Sequence, residues 1–254
     1  MQDKAPQTPI RIVLVGTSHP GNIGASARAM KTMGFTALTL VAPLDFPSAA
    51  ATARASGADD ILASANVVSS LAEAIGDCVY VLGASARLRS LQWPTADPRL
   101  CALRVWEHVS AGPVAIVFGP EQSGLTNDDL ARCHELVHIP ANPAYSSLNL
   151  AMAVQVICYE LRMSHPERRP AGELQGEPGR DAPLATAEEL EYFHTHLEEV
   201  MQRSGFMKPD HPHQLRLRLR RLFNRAQLDQ NEVNILRGLL SAVDPGEPKG
   251  AKHR

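Results

Sequence analysis

The 254-residue chain reads as an α/β protein with a mostly parallel sheet, on three observations. Apolar runs of strand length alternate with helical stretches along the first two thirds of the chain. Two of those runs, IRIVLV (10–15) and PVAIVFG (113–119), are apolar at nearly every position, the pattern of strands covered on both faces. Glycine-bearing loops follow the strand ends, and ligands of open α/β sheets bind outside the carboxyl ends of strands.

After the first strand, GTSHPGNIG is a glycine-rich loop, and ASARAMKTMG predicts a helix stopped by Gly34. ALTLV is a second strand, closed by Ala42-Pro43. The alanine-rich stretch 48–76 is expected to be helical, ending in SSLAEAIG. CVYVLGAS is a strand running into a loop, and ARLRSLQWP continues that loop with Arg87 and Arg89. Residues 97–110 look helical. After the strand at 113–119, Thr126 stands three residues before Asp129, close to a capping box. ELVHIP is a further strand end. Pro140 and Pro143 stop any ladder there, because proline lacks the donor N–H. Ser146 and Ser147 then suit the cap of a helix. From Leu148 to Tyr159 the run is apolar on nearly every face, which predicts a buried helix.

The composition changes at 164–185, where Pro, Gly and charge dominate and a flexible linker is expected. This divides the chain into a domain over 9–163, a helical extension over 186–243 and a tail, 244–254, expected to be disordered. In the extension, Thr186 opens a helix with Glu189 at its third position. Leu190, Phe193, Leu197 and Met201 form its stripe, and Gly205 ends it. Leu215, Leu219, Leu222 and Phe223 keep helical spacing in HQLRLRLRRLF, although strict Leu-Arg alternation also fits a strand. NEVNILRGLLSAV predicts a last amphipathic helix.

Lys+Arg 25 against Asp+Glu 27 leaves a net charge of −2, so any nucleic-acid surface must be local. The four cysteines are widely spaced without Cys-x-x-Cys, which argues against a zinc ribbon or redox pair. Ten histidines lack metal-ligand spacing; His211-Pro-His213 comes nearest, and no metal is expected. The polar start MQDKAPQTP carries no signal peptide and no long apolar span occurs, so a cytoplasmic protein without membrane contact is expected.

Several loops could carry chemistry. VGTSHPGNIGASAR places a glycine-rich loop before a helix N-terminus, a general anion-binding arrangement. Gly16, Gly21 and Gly24 miss the spacing of G-x-G-x-x-G, no Gly-Lys-Ser/Thr follows, and Asp45 lies past Pro43, all of which argue against a dinucleotide or P-loop site. Arg28 stands on the helix leaving that loop, near enough to be aimed at the space of Ser147, or else it is a solvated surface arginine. In FGPEQSGLT, Gly119 and Gly124 bracket Glu121 at the end of the clearest strand; a tight turn with an exposed glutamate is the plain alternative. GASAR is another strand-end loop. The Ser-Ser-x-Asn cluster at 146–149 either caps its helix or meets a ligand. Arg216, Arg218, Arg220, Arg221 and Arg225 form a basic cluster suited to phosphate oxygens, or the solvated face of an amphipathic helix.

NIGASAR, GPEQSGL and IPANPAYSSLNLAMAV, taken in order, resemble the three signature motifs of the SPOUT RNA methyltransferases. The likeness covers about residues 9–165. The TSHPGN segment and the helical tail, with RLRRLF and NILRG, resemble the branch that methylates the ribose 2′-OH of cytidine or uridine 32 in the tRNA anticodon loop. Two positions depart from that branch: Pro120, where an arginine commonly precedes the motif glutamate, and Gly16, where a larger polar residue is frequent. The resemblance implies a parallel sheet with a C-terminal trefoil knot, a rare exception to unknotted chains. It also implies a homodimer with active sites at the subunit interface, S-adenosylmethionine as cofactor and tRNA as substrate. Carried over by position, cofactor contacts fall on Ala84, Ser85, Ala86, Gly119, Ile139, Ser146, Ser147 and Leu148. The catalytic group would be Arg28, with Asn22, Glu121, Ser147 and Asn149 orienting it. Arg28, Arg87, Arg89 and the five tail arginines would meet tRNA. Arg28 would act as base or as phosphate clamp; free guanidinium, with a pKa above ~12, is a poor base.

Overall fold

The structure, a computed structural model, describes residues 9–86, 93–168, 182–207 and 212–244. Seven strands form one parallel sheet in the order β3-β2-β1-β6-β4-β7-β5: β1 (Ile10–Val15), β2 (Leu38–Val41), β3 (Asn66–Val68), β4 (Tyr80–Ala84), β5 (Thr95–Ala96), β6 (Val114–Phe118) and β7 (Glu135–Val137). The later strands β6 and β7 insert between earlier ones. β6, central and buried at every position, pairs with β1 from Ile10↔Val114 and with β4 from Tyr80↔Val114.

Ten helices are described: α1 (Pro20–Met33), α2 (Ala49–Ala55), α3 (Asp59–Ala63), α4 (Leu71–Ile75), α5 (Pro98–His108), α6 (Asn127–Leu130), α7 (Leu150–Met163), α8 (Ala187–Arg203), α9 (Pro212–Ala226) and α10 (Gln230–Val243). Alternate strand residues point to opposite faces. Ile12, Leu14, Leu82, Ile116 and Phe118 pack beneath α1, α2, α5 and α7. Val13, Val81, Ala115 and Val117 form a second core with α4, α6 and Leu217 of α9. Both sheet faces are therefore covered, which is why the strands read as continuous apolar runs.

Several expectations need correcting. The stretch 48–76 is not one helical segment: α2 ends at Ser56 in the left-handed region, α3 follows, and β3 intervenes before α4. Alanine favours helix wherever it stands, but the edge of β2 offers Val67 and Val68 a parallel ladder. Ser146 and Ser147 do not cap α7. Asn149 does, its Oδ1 accepting from Ala151 N at 3.0 Å, so the helix begins at Leu150. Nor is α7 buried all round. Met152, Tyr159 and Met163 recur at helical spacing and stand 63, 48 and 49% exposed, while Val154, Ile157, Cys158 and Leu161 face the core. Gly34 ends α1 with φ 85°, as expected. Thr126 and Thr186 each complete a capping box. The Leu-Arg alternation lies on a helix, α9.

The expected linker is described at both ends. Ser164 caps α7 and is buried, and Leu184 and Ala185 are buried again, with Leu184 bridged to Asp229. Residues 169–181 and the tail beyond Asp244 lie outside the described residues. The extension docks on the sheet domain. Ala187 N donates to Cys78 O at 2.8 Å, and the Asn224 amide donates to the carbonyls of Ala131 and Cys133 at 3.0 and 3.3 Å. Among the described residues, no helix is long and apolar enough to cross a membrane.

Candidate active site at the carboxyl ends of the strands

The loops after β4, β6 and β7 converge on a cavity of about 230 Å³. Its floor is apolar, from Phe118, Leu125, Val137, Leu150 and Ala153. Its walls are the loop residues Ala84–Ala86, Gly119–Gly124 and Ser146–Leu148. All eight residues expected at a cofactor, Ala84, Ser85, Ala86, Gly119, Ile139, Ser146, Ser147 and Leu148, line it, and so does Glu121.

Each wall is fixed locally. Ser85 N donates to Val137 O at 3.0 Å, and the His138 Nδ1–H donates to Ser85 O at 3.1 Å, so the loop after β4 is held against the end of β7. β7 is held in turn by buried Glu135, which pairs with Arg104 and accepts from Tyr80 Oη at 2.8 Å. Gly124 N donates to Pro120 O, closing the loop after β6. A Cβ on Gly119 would lie 2.3 Å from Leu125 N and 2.4 Å from the Gly124 carbonyl carbon, so only glycine lets this loop fold back on itself. The two departures from the branch pattern meet here: a side chain on Gly16 would start 3.2 Å from Pro120 Cγ.

Glu121 joins this cavity to α1. Its Oε2 accepts from Ser18 N and Oγ at 3.1 and 2.9 Å; its Oε1 accepts from Asn22 Nδ2 at 2.8 Å and more weakly from His19 N at 3.4 Å. His19, the N-cap residue of α1, makes no side-chain cap, so Glu121 supplies the anion at that helix end. Burial opposes its ionisation, but the hydrogen bonds from Asn22 and Ser18 outweigh burial and hold the carboxyl at about 2. Asn22 Oδ1 accepts from Asn149 Nδ2 at 3.0 Å, and Asn149 is the α7 cap. A directed chain of amides thus runs from the N-terminus of α7 through Asn149 and Asn22 to Glu121.

Arg28 is not brought to this cavity. It is exposed on α1, lines no part of the cavity wall, and its guanidinium makes no hydrogen bond or ion pair with the described residues. It stands six residues beyond Asn22, about 240° around the helix, which turns it away from α7. Arg87 and Arg89 lie outside the described residues. The tail cluster is not one solvated face. Arg220 is buried and gives both nitrogens to Glu191, at 2.7 and 2.8 Å, and Arg216 pairs with Asp128 at 3.0 Å. Arg218 and Arg225 are exposed, and Arg221 is half-buried. Ser18 and His138 were not legible as site residues, since each acts through a partner distant in sequence. Among the described residues, no group of three or more His, Cys, Asp or Glu side chains is placed to hold a metal. A larger cleft, about 550 Å³ between α4 and α8, contains none of the motif loops, and its Arg132, Glu191 and Arg220 are paired with one another.

Fold and site together are those of a parallel-sheet methyltransferase of the SpoU class. Residues 9–159 match the SpoU rRNA methylase family, and the chain belongs to it. Residues 188–253 match the C-terminal domain of the tRNA methyltransferase TrmJ. The tRNA (cytidine/uridine-2′-O-)-methyltransferase TrmJ of Pectobacterium atrosepticum is 51% identical over 234 residues, 92% of this chain and 96% of its own. The crystal structure of TrmJ from Z. mobilis ZM4 superposes with a TM-score of 0.78 at 35% identity, covering 92% of this chain and 98% of that one. A probable methylase family protein from Haemophilus influenzae Rd KW20 gives 0.64 at 47% identity, covering 93% and 96%.

Proposed function

We propose that the protein methylates the ribose 2′-OH of a cytidine or uridine in tRNA, at position 32 of the anticodon loop, with S-adenosylmethionine as the methyl donor. Relatives named as tRNA (cytidine/uridine-2′-O-)-methyltransferases match over nearly their whole length, and the helical extension matches a TrmJ C-terminal domain. The observation that carries the reading is the single cavity where the loops after β4, β6 and β7 meet. Its residues fit the cofactor. An apolar floor walled by small and polar loop residues suits a flat purine with polar edges, and Gly119 keeps its part of the wall free of a side chain. Glu121, ionised across the neutral range, suits a cationic ligand. Bound there, the cofactor supplies an electrophilic methyl group on a sulfonium.

The chain's own residues position and deprotonate. Asn149, Asn22 and Glu121 fix α1 against the cavity, so that a ribose entering between α1 and the loop at 146–149 is held in line with the methyl group. Ser147, exposed on that loop, orients the ribose. The hydroxyl must lose its proton as it attacks. Arg28 serves this step, as the base or as the clamp on the adjoining phosphate. Because Arg28 faces away from its own cavity, the site is completed in a homodimer. The exposed Met152–Tyr159–Met163 stripe of α7 is the apolar surface such a dimer would cover. The exposed arginines of α9 hold the tRNA body.

The test is transfer of labelled methyl to unmodified tRNA, followed by mapping of the modified nucleotide. A label at another nucleotide would reassign the target, and no transfer to tRNA would overturn the reading. Arg28→Ala should lower single-turnover rate by roughly a hundred- to ten-thousandfold with cofactor affinity intact. Arg28→Lys keeps charge without the planar fork, so partial activity identifies a clamp and none a base.

A further inference from the structure

The helix pair α1–α2 presents a basic group, Arg54, that the site described above does not use. Gly24 allows the two helices to touch: a Cβ there would lie 1.9 Å from Ala51 O. That contact lays Arg54, in the last turn of α2, across the start of α1, where a side chain built on Gly21 would begin 3.4 Å from Arg54 Cγ. Gly21 immediately precedes Asn22, the partner of Glu121. Arg28 follows Gly21 by almost two full turns, so it shares the same face of α1, about 10 Å along the axis. Both arginines are exposed, and neither guanidinium makes a hydrogen bond or ion pair with the described residues. The neighbouring cation contrasts with them: Lys31 is tied to Asp60 and Gly57 O, each at 2.8 Å. Arg216 and Arg220, expected to serve RNA, are likewise consumed by ion pairs.

We propose that Arg54 is a tRNA-backbone contact which, with Arg28, holds one phosphodiester segment along the outer face of α1, the face that serves the site completed in the dimer. Guanidinium forks suit phosphate oxygens, and two of them in line on one rigid face would set the register of the strand that delivers the target ribose. Arg54 is a substrate-positioning residue here, without a part in bond making. The inference rests on tRNA being the substrate.

The experiment uses the full-length protein, unmodified tRNA and the variants Arg54→Ala and Arg54→Lys, with Arg99→Ala, an exposed arginine on α5, as the control. Affinity for tRNA is measured across roughly 50 to 200 mM salt, and KM for tRNA at saturating cofactor. Arg54→Ala should raise KM roughly three- to tenfold and reduce the slope of log affinity against log salt by about 0.7 to 0.9, the loss of one phosphate contact. Its melting temperature and cofactor affinity should be those of the parent. Arg54→Lys should keep the slope, and the control should change neither quantity. If Arg54 only complements the end of α2, KM and slope stay at parent values and stability falls instead; that result overturns the proposal while leaving tRNA methylation standing. A parent protein that methylates no tRNA removes both.

Discussion

Glu121→Gln isolates the directed amide chain, because it changes one oxygen to NH₂ at constant shape. The α7 backbone fixes the polarity: Ala151 N–H claims Asn149 Oδ1, which points Asn149 Nδ2 at Asn22 Oδ1 and Asn22 Nδ2 at Glu121. A glutamine must therefore keep its oxygen toward Asn22 and turn its NH₂ to Ser18. The Ser18 hydroxyl can rotate to accept, but Ser18 N–H, 3.1 Å away, loses its acceptor. Hydrogen bonds to a charged acceptor contribute about 1.5–3 kcal/mol each and neutral ones about 0.5–1.5. Losing one bond and weakening two gives about 3.5–6 kcal/mol at face value, which partial exposure of the carboxylate reduces to about 1–2. Chemical denaturation of the parent, Glu121→Gln, Asn22→Ala and the double variant measures this. The cycle should show a coupling of roughly 0.5–2 kcal/mol. Single-turnover methylation should fall in Glu121→Gln more than cofactor affinity does, since the chain positions α1 rather than the cavity floor. Additive effects, or a Glu121→Gln protein within about 0.5 kcal/mol of the parent at full rate, would refute the argument.

Gly119→Ala places a methyl group against the backbone at Gly124 and Leu125, which cannot yield without shifting the cavity wall. It should cost about 1–3 kcal/mol and weaken cofactor binding by at least about tenfold; calorimetry showing parent affinity would detach this loop from the cofactor. Glu191 offers a pH test. Burial opposes its ionisation, but Arg220 and Arg132 together lower its pKa below 4.5. A carboxyl with a depressed folded pKa contributes stability that is present above the unfolded value and lost as pH falls through the folded one. Glu191→Gln should therefore be less stable than the parent at neutral pH, by about 1–3 kcal/mol. The gap should close on acidification below 4.5, and a gap constant with pH in denaturation curves would remove the ion pair as its cause.

The fold was legible where the local signal and the tertiary demand agree. β1 and β6 are apolar at alternate positions for two different cores, so one sequence pattern announced a sheet covered on both faces. The capping boxes at Thr126 and Thr186 are local by construction and read directly. What was not legible is decided by partners far away in sequence. β3 exists because the edge of β2 was open, not because NVV outranks its alanine-rich surroundings. Asn149 rather than Ser146 or Ser147 caps α7 because Asn22, more than a hundred residues earlier, fixes its amide. Gly16 and Pro120 each read as an isolated oddity, yet they fill one space.

The arginines of α9 show the same limit most sharply. In sequence they form one cluster, and either a strand or a helix could present them. On a helix the cluster divides. Arg216, Arg220 and Asn224 follow at intervals of four and so share a face. That face turns inward, where Asp128, Glu191 and the carbonyls of Ala131 and Cys133 take their donors. Arg218 and Arg225 are seven apart and share the outer face, exposed. The inward set fixes the extension against α6 and α8, and it thereby aims the outer set. A basic cluster of five thus leaves a smaller exposed surface on a rigid mount, and part of its charge is spent on holding the helix in place.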